Sequence, residues 1–139
     1  MTDRTFTETR ANAVLPATLL KRALQADAIA SAGQGLLLLA GAGVLDSVTG
    51  LPTALLRYAG AFLLPYAVLV GVMGLRPSLP RWLVWTVILG NVAWVAESVL
   101  LAFSDWVAPT GLGIAFVLAQ AFAVALFAAL QFLGLRRSR

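Results

Sequence analysis

Polar side chains inside the long apolar stretches of this chain are the residues whose chemistry first needs an explanation. If the stretches are membrane-spanning helices, Gln34, Asn91 and Gln120 lie at similar depths near the middle of the bilayer, because each residue adds about 1.5 Å along a helix. One interpretation is amide hydrogen bonding that holds the helices together. The other is a central polar pocket that holds a small ligand or a lipid headgroup.

The third apolar stretch adds further polar residues on one side of a helix. At 100° per residue, Asn91, Trp94, Glu97 and Ser98 fall in one sector, opposite an apolar sector. The sequence therefore predicts one intramembrane polar site, formed by Gln34, Asn91, Trp94, Glu97, Ser98 and Gln120.

Glu97 is the carboxylate of this predicted site, and two roles are open for it. Counted from the adjacent turns, Glu97 lies roughly 12 Å and Arg57 about 7 Å inside the outer boundary, so an ion pair is within side-chain reach. The alternative is a carboxylate that binds a proton or a cation. The first role predicts that loss of Arg57 is very damaging to folding.

Asp27 and Gln131 are predicted to lie closer to the inner surface. Asp27 is seven residues before Gln34, and Gln131 is eleven residues after Gln120, and both spacings return to one side of a helix. At this depth Asp27 is expected to meet cytoplasmic water or one of three arginines, namely Arg76, Arg81 and Arg136.

Much other chemistry is disfavoured by the residue types present. The chain has no Cys and no His, which removes thiol nucleophiles and the usual zinc and haem ligands. No serine is accompanied by an evident base, and no paired carboxylates share a segment, so we expect no enzyme, no metal and no cofactor. The net charge of +4 does not indicate nucleic-acid binding, because the cations lie between and beyond the apolar stretches.

The elements that must position these residues are transmembrane helices. With 60% apolar and 12% charged residues in 139, the chain needs lipid around it. Spans are predicted at about 23–45, 53–75, 82–103 and 109–135, within a domain of residues 16–135. A flexible cytoplasmic tail (1–15) precedes this domain and a basic cytoplasmic tail (136–139) follows it.

The fold class predicted from these spans is an all-α, up-down bundle of four transmembrane helices. Spans two and four align at a spacing of 60 residues, with Ala59-Gly60-Ala61-Phe62 over Ala119-Gln120-Ala121-Phe122. Asp46 and Asp105 end the odd-numbered spans. This repeat indicates a duplicated two-helix hairpin with a pseudo-two-fold axis along the membrane normal, although shared membrane composition is an equal alternative.

The cations predict the orientation of the bundle. With the N-terminus inside, nine of the ten Lys and Arg residues are cytoplasmic, and only Arg57 lies near the outer side. A signal-peptidase site at Ala40-Gly41-Ala42 is the weaker alternative, because a polar leader of more than twenty residues precedes a full-length span. We therefore expect a multi-pass protein with both termini in the cytoplasm.

Three features resemble small four-span bacterial integral membrane proteins of unassigned function: Gly50-Leu51-Pro52, Asn91-x-x-Trp94-x-x-x-Ser98 and Gln120. The resemblance implies a bacterial inner membrane and no particular activity.

Two functions remain as hypotheses. The first is a non-catalytic bundle that assembles with itself or with a larger membrane complex. The second is a small-solute or proton- or cation-linked transporter that works as a homodimer through the polar site.

Overall fold

Four long helices form most of the protein, and each is long and apolar enough to cross a membrane. The computed structural model describes residues 13–139. The elements are β1 (Ala13–Val14), α1 (Thr18–Ala40), α2 (Ala42–Thr49), α3 (Thr53–Met73), β2 (Leu79–Pro80), α4 (Arg81–Phe103) and α5 (Gly111–Arg137). The long helices confirm the four predicted spans, because a helix of 20 or more residues covers a hydrocarbon core of about 30 Å.

One end of the helix assembly, here called the terminal end, gathers three separate parts of the chain. β1 pairs with β2 in antiparallel register, with Val14 opposite Leu79. Leu15 and Arg139 exchange two backbone hydrogen bonds, of 2.6 and 3.2 Å. Residues 13–15 and 136–139 are therefore part of the folded structure, which differs from the two tails predicted there. The rest of the predicted N-terminal tail, residues 1–12, lies outside the described residues.

The opposite end, here called the turn end, is built from two connections. The first predicted span is interrupted, because α1 ends before Gly41 and the short α2 follows it. Gly50 then adopts a left-handed conformation (φ 74°), which glycine adopts without strain. The Asp46 carboxylate accepts hydrogen bonds from the backbone N–H and hydroxyl of Thr53, at 3.0 and 2.7 Å, and so caps the start of α3.

The long helices do not all pack on one another. α1 packs against α3 and α5, and α5 packs against α4, whereas α3 and α4 make no comparable contact. Glycines permit two of the close approaches: Gly60 of α3 lies against the carbonyl of Gly35, and Gly134 of α5 lies against the backbone of Leu20. The arrangement leaves a groove between α3 and α4, here called the α3–α4 groove, whose floor is formed by α1 and α5.

The burial pattern is that of a membrane protein. Large apolar side chains cover the outer surface, including Ile29 and Phe62, which are 75% and 60% exposed. The interior holds polar residues: Asp27, Asn91 and Gln131 are 2%, 4% and 0% exposed. Apolar surface outside and hydrogen-bonded polar groups inside are what a hydrocarbon solvent selects, so the chain is a multi-pass membrane protein.

Candidate functional site

Five buried or half-buried polar residues meet in the terminal half of the protein, and every long helix contributes. They are Asp27 and Ser31 of α1, Tyr66 of α3, Asn91 of α4 and Gln131 of α5, here called the Asp27 cluster. The Asp27 Oδ2 atom lies 2.8 Å from the Tyr66 hydroxyl, and it accepts hydrogen bonds from the amides of Asn91 (3.1 Å) and Gln131 (2.7 Å). Its Oδ1 atom accepts from the Ser31 hydroxyl at 3.0 Å.

The surroundings of Asp27 differ from those predicted, which were cytoplasmic water or an arginine at the inner surface. No salt bridge to Asp27 is present in the part of the chain that the structure describes, and the predicted arginine partners Arg76, Arg81 and Arg136 do not hydrogen-bond to it. Asp27 is instead buried among neutral donors. The prediction placed Asp27 too close to water, because its depth along α1 does not show that side chains of the other three long helices cover it.

A second polar group lies nearer the turn end and is centred on Gln120. Its carbonyl accepts from the Trp94 indole N–H at 2.8 Å and from the Gln34 amide at 3.4 Å. Its amide N–H group donates to the Ser98 hydroxyl at 3.0 Å. Gln34, Trp94, Ser98 and Gln120 are here called the Gln120 cluster.

The single site predicted from the sequence is therefore divided into two. Gln34, Trp94, Ser98 and Gln120 come together, whereas Asn91 belongs to the Asp27 cluster, where its amide donates to the Gln131 carbonyl at 2.9 Å. Asp27 with Gln131, and Gln34 with Gln120, form the two levels. The spacing of seven residues between Asp27 and Gln34 on α1, and of eleven between Gln120 and Gln131 on α5, separates the two levels along the helices.

The α3–α4 groove contains two adjoining cavities above the clusters. The terminal-side cavity, of about 260 Å³, is lined by Asp27, Ser31, Tyr66 and Asn91 together with apolar residues of α3, α4 and α5. The turn-side cavity, of about 620 Å³, is lined by Ser98, Gln120, Glu97 and several aromatic side chains. Gln34 and Trp94 line both cavities, so the two adjoin at this level.

Aromatic rings cross the groove where the two cavities adjoin. Phe62 of α3 stacks on Trp94 of α4, with ring centroids 6.2 Å apart and planes 13° from parallel. Phe62 also stacks on Tyr66 at 6.5 Å. The Phe62–Trp94 stack therefore joins α3 to α4 beside the hydrogen bond between Tyr66 and Asn91, and such a ring pair contributes about 0.5–1.5 kcal/mol beyond its buried area.

The predicted ion pair between Arg57 and Glu97 is not formed. Both side chains are exposed, and no salt bridge joins them in the structure of residues 13–139. Glu97 lines the turn-side cavity, whereas Arg57 does not. Arg57 is only four residues from the start of α3 at Thr53, so its long side chain can extend to the headgroup region. The shorter Glu97 side chain remains beside the groove.

Two residues of the Asp27 cluster were not predicted from the sequence, namely Ser31 and Tyr66. Ser31 follows Asp27 by four residues, a spacing that puts both on one helix face. Tyr66 lies next to Pro65 in the middle of an apolar span. The two other hydroxyl residues of α3, Thr53 and Tyr58, lie in its first two turns. A tyrosine hydroxyl in the middle of a membrane span needs a hydrogen-bond partner, and this requirement could have identified Tyr66 as part of a polar site.

Residues 13–139 contain no group of three or more Asp, Glu, His or Cys side chains that could hold a metal ion. The same residues leave no buried side-chain nitrogen or oxygen without a hydrogen-bond partner. The polar groups of the two clusters are amides, hydroxyls, one indole N–H and one buried carboxyl group.

Comparison with protein-family models, with curated proteins and with solved structures finds no match to the chain.

Proposed function

We propose that this protein is a non-catalytic membrane protein that binds a small amphipathic molecule from the bilayer in the α3–α4 groove. The observation that carries the proposal is the groove itself, which is open beside two helices and has polar side chains from two clusters at its floor. Cavities of about 300–1,000 Å³ with apolar walls and a few polar groups are typical of small-molecule sites. The turn-side cavity lies within that range.

The side chains around the groove indicate the chemistry of the bound molecule. In residues 13–139 neither the Glu97 carboxylate nor the Gln34 side-chain carbonyl has a hydrogen-bond donor. Both are acceptors beside apolar and aromatic walls. The complementary ligand is an apolar molecule that carries a hydrogen-bond donor, with a positive charge favoured by Glu97 and by the faces of nearby aromatic rings.

We infer an up-down helix order with both termini in the cytoplasm. The meeting of residues 13–15, the α3–α4 connection and Arg139 at one end supports the alternating order. The concentration of Lys and Arg at that end supports its cytoplasmic location. The duplicated-hairpin hypothesis is less favoured, because the short helix α2 follows α1, whereas residues 104–110, which follow α4, form no helix.

Filling the groove should remove binding. Gly90 lines the terminal-side cavity, and a Cβ placed on it meets no atom within 4 Å, so Gly90→Leu adds a side chain to open space. We expect this variant to fold and to lose at least tenfold in affinity for a fluorescent alkylamine in nanodiscs. The matched control is Gly33→Leu on α1, which is equally unobstructed, exposed and outside the groove.

Glu97→Gln tests the charge preference in the same assay. A hydrogen bond to a charged group contributes about 1.5–3 kcal/mol, so the amine should bind about tenfold or more weakly. An alcohol of the same chain length should be affected less. If the protein also carries the molecule across the bilayer as a homodimer, flux into proteoliposomes should fall in parallel.

Equal affinity of wild type and Gly90→Leu for the alkylamine would contradict the proposal that the α3–α4 groove is the binding site.

Assembly with a second copy, or with a larger membrane complex, is the second candidate function, and a separate feature favours it. An apolar hollow of about 500 Å³ lies between α4 and α5, away from the groove, and four of its eight lining residues are alanines: Ala96, Ala125, Ala128 and Ala129. Small residues let the backbone of another helix approach closely.

If this hollow seats a helix of a second copy, Ala125→Leu should shift the purified protein toward the monomer mass. The mass can be measured by native mass spectrometry from mild detergent. Ala123→Leu on the same helix, exposed but outside the hollow, is the control and should leave the mass unchanged. A wild-type protein that is already monomeric, or an unaffected Ala125→Leu oligomer, would argue against assembly through this face.

A further inference from the structure

The hydrogen bonds of the Asp27 cluster require one more hydrogen atom than its side chains supply when Asp27 is ionised. The Tyr66 hydroxyl oxygen lies 2.8 Å from Asp27 Oδ2 and 2.8 Å from Asn91 Oδ1, and both of these atoms are acceptors. A phenol has one hydrogen, so it donates to one of them only. The other pair of oxygens would then face each other at hydrogen-bond distance with no hydrogen between them.

Exchanging the oxygen and nitrogen of the Asn91 amide does not remove this conflict. The Asn91 Nδ2 atom donates both to Asp27 Oδ2 at 3.1 Å and to Gln131 Oε1 at 2.9 Å. The exchange would place the Asn91 oxygen against those two acceptors, creating two unfavourable contacts to relieve one. The Gln131 amide is oriented in the same way, because its nitrogen donates to Asp27 Oδ2 at 2.7 Å.

We propose that Asp27 carries a proton, and that this cluster is a proton-binding site built by all four long helices. The proton lies on Asp27 Oδ2 and is donated to the Tyr66 oxygen, and the Tyr66 hydroxyl in turn donates to Asn91 Oδ1. Six contacts then have six hydrogens. A metal ion does not fit the same position, since two amide N–H groups point at Asp27 Oδ2 and would repel a cation there.

Burial and charge support the same assignment. The groups that face Asp27 are Ser31 from α1, Tyr66 from α3, Asn91 from α4 and Gln131 from α5, and in residues 13–139 no Lys or Arg forms a salt bridge with it. An ionised carboxylate that is 2% exposed inside a membrane, without a cation, is costly. A neutral carboxyl group avoids this cost and completes the hydrogen bonds.

The proton site adjoins the groove but does not depend on what the groove binds. Tyr66 and Asn91 line the terminal-side cavity as well as contacting Asp27. Removal of the proton leaves an oxygen pair without a hydrogen at the junction of α1, α3 and α4. Protonation of Asp27 therefore controls the hydrogen bonding of two side chains in the wall of this cavity, Tyr66 and Asn91.

Infrared spectroscopy of the full chain in nanodiscs tests the proposal. At neutral pH we expect a carbonyl absorption of a protonated carboxyl group, which shifts in D₂O and disappears in Asp27→Asn. The five-site variant Asp3→Asn, Glu8→Gln, Asp46→Asn, Glu97→Gln, Asp105→Asn replaces every carboxyl side chain except that of Asp27 and should keep the absorption, so the assignment does not depend on the folding of Asp27→Asn.

Tyr66→Phe tests the shared hydrogen bond. Loss of the Tyr66 oxygen should move or abolish the absorption, because the proton loses its acceptor. Absence of the absorption in wild type, its loss in the five-site variant, or an unchanged position in Tyr66→Phe would each overturn the proposal. None of these results depends on alkylamine binding, so failure of the proton site and failure of the groove proposal are separate outcomes.

Discussion

Replacing Gly134 by alanine should destabilise the protein by about 1–3 kcal/mol, the usual cost of forcing extra atoms into a packed interior. A Cβ at Gly134 would lie 2.6 Å from the N and Cα atoms of Leu20. These are backbone atoms of α1, so no flexible side chain can move aside. The helices α1 and α5 must separate, and their separation loosens the contact between Gln131 and Asp27.

The measurement is unfolding of the purified protein in detergent, followed by the loss of helical circular dichroism with heat or a denaturing detergent. Gly33→Ala is the matched control, because Gly33 is also inside a long helix but a Cβ there meets no atom within 4 Å. It should be neutral or stabilise the helix by up to about 1 kcal/mol. Equal stability of the two variants would show that α1 and α5 do not approach as described.

Asn91→Leu should be about as damaging, at roughly 2–4 kcal/mol, and for a different reason. Leucine keeps much of the volume but cannot hydrogen-bond. In residues 13–139 the Gln131 carbonyl has no donor other than Asn91, and a buried acceptor without a donor costs about 1–3 kcal/mol. The lost contacts to Asp27 and Tyr66 add roughly 0.6 kcal/mol each, the average measured for hydrogen bonds between membrane helices.

Thr86→Val on the same helix is the control for Asn91→Leu. Thr86 is exposed, and within residues 13–139 its hydroxyl donates only to the Trp82 carbonyl of the same helix. Its replacement should change the free energy of unfolding by less than about 0.5 kcal/mol. If Asn91→Leu were as stable as Thr86→Val, the Asp27 cluster would not hold the four helices together.

The membrane spans were predictable because they follow from local composition. A run of about 20 apolar residues has to cross a bilayer wherever it occurs. The predicted limits of spans two and three, 53–75 and 82–103, differ from α3 and α4 by at most two residues at each end. The first span was less well predicted, because the break at Gly41 is a single helical irregularity inside an unbroken apolar stretch.

The polar site was only partly predictable, because spacing along one helix gives its faces but not its neighbours. The sequence identified Gln34, Asn91 and Gln120 as polar groups at mid-membrane depth. It did not show that Asn91 pairs with Asp27 rather than with Gln120, since a shift of a few ångströms between helices changes every partner. The expected ion pair of Arg57 and Glu97 does not form for a related reason: two depths within side-chain reach do not place the side chains on facing surfaces of their helices.

By itself, the sequence of this protein determined that it enters a membrane, how many times it crosses, and which few side chains must find partners there. Those results follow from the cost of placing polar groups in hydrocarbon, which depends on each residue alone. Only the tertiary structure decided that Asp27 lies at the junction of four helices and that α3 and α4 enclose a groove. The reason is physical: helix packing is set by close contacts such as Gly60 on Gly35 and Gly134 on Leu20, which join residues far apart in the chain.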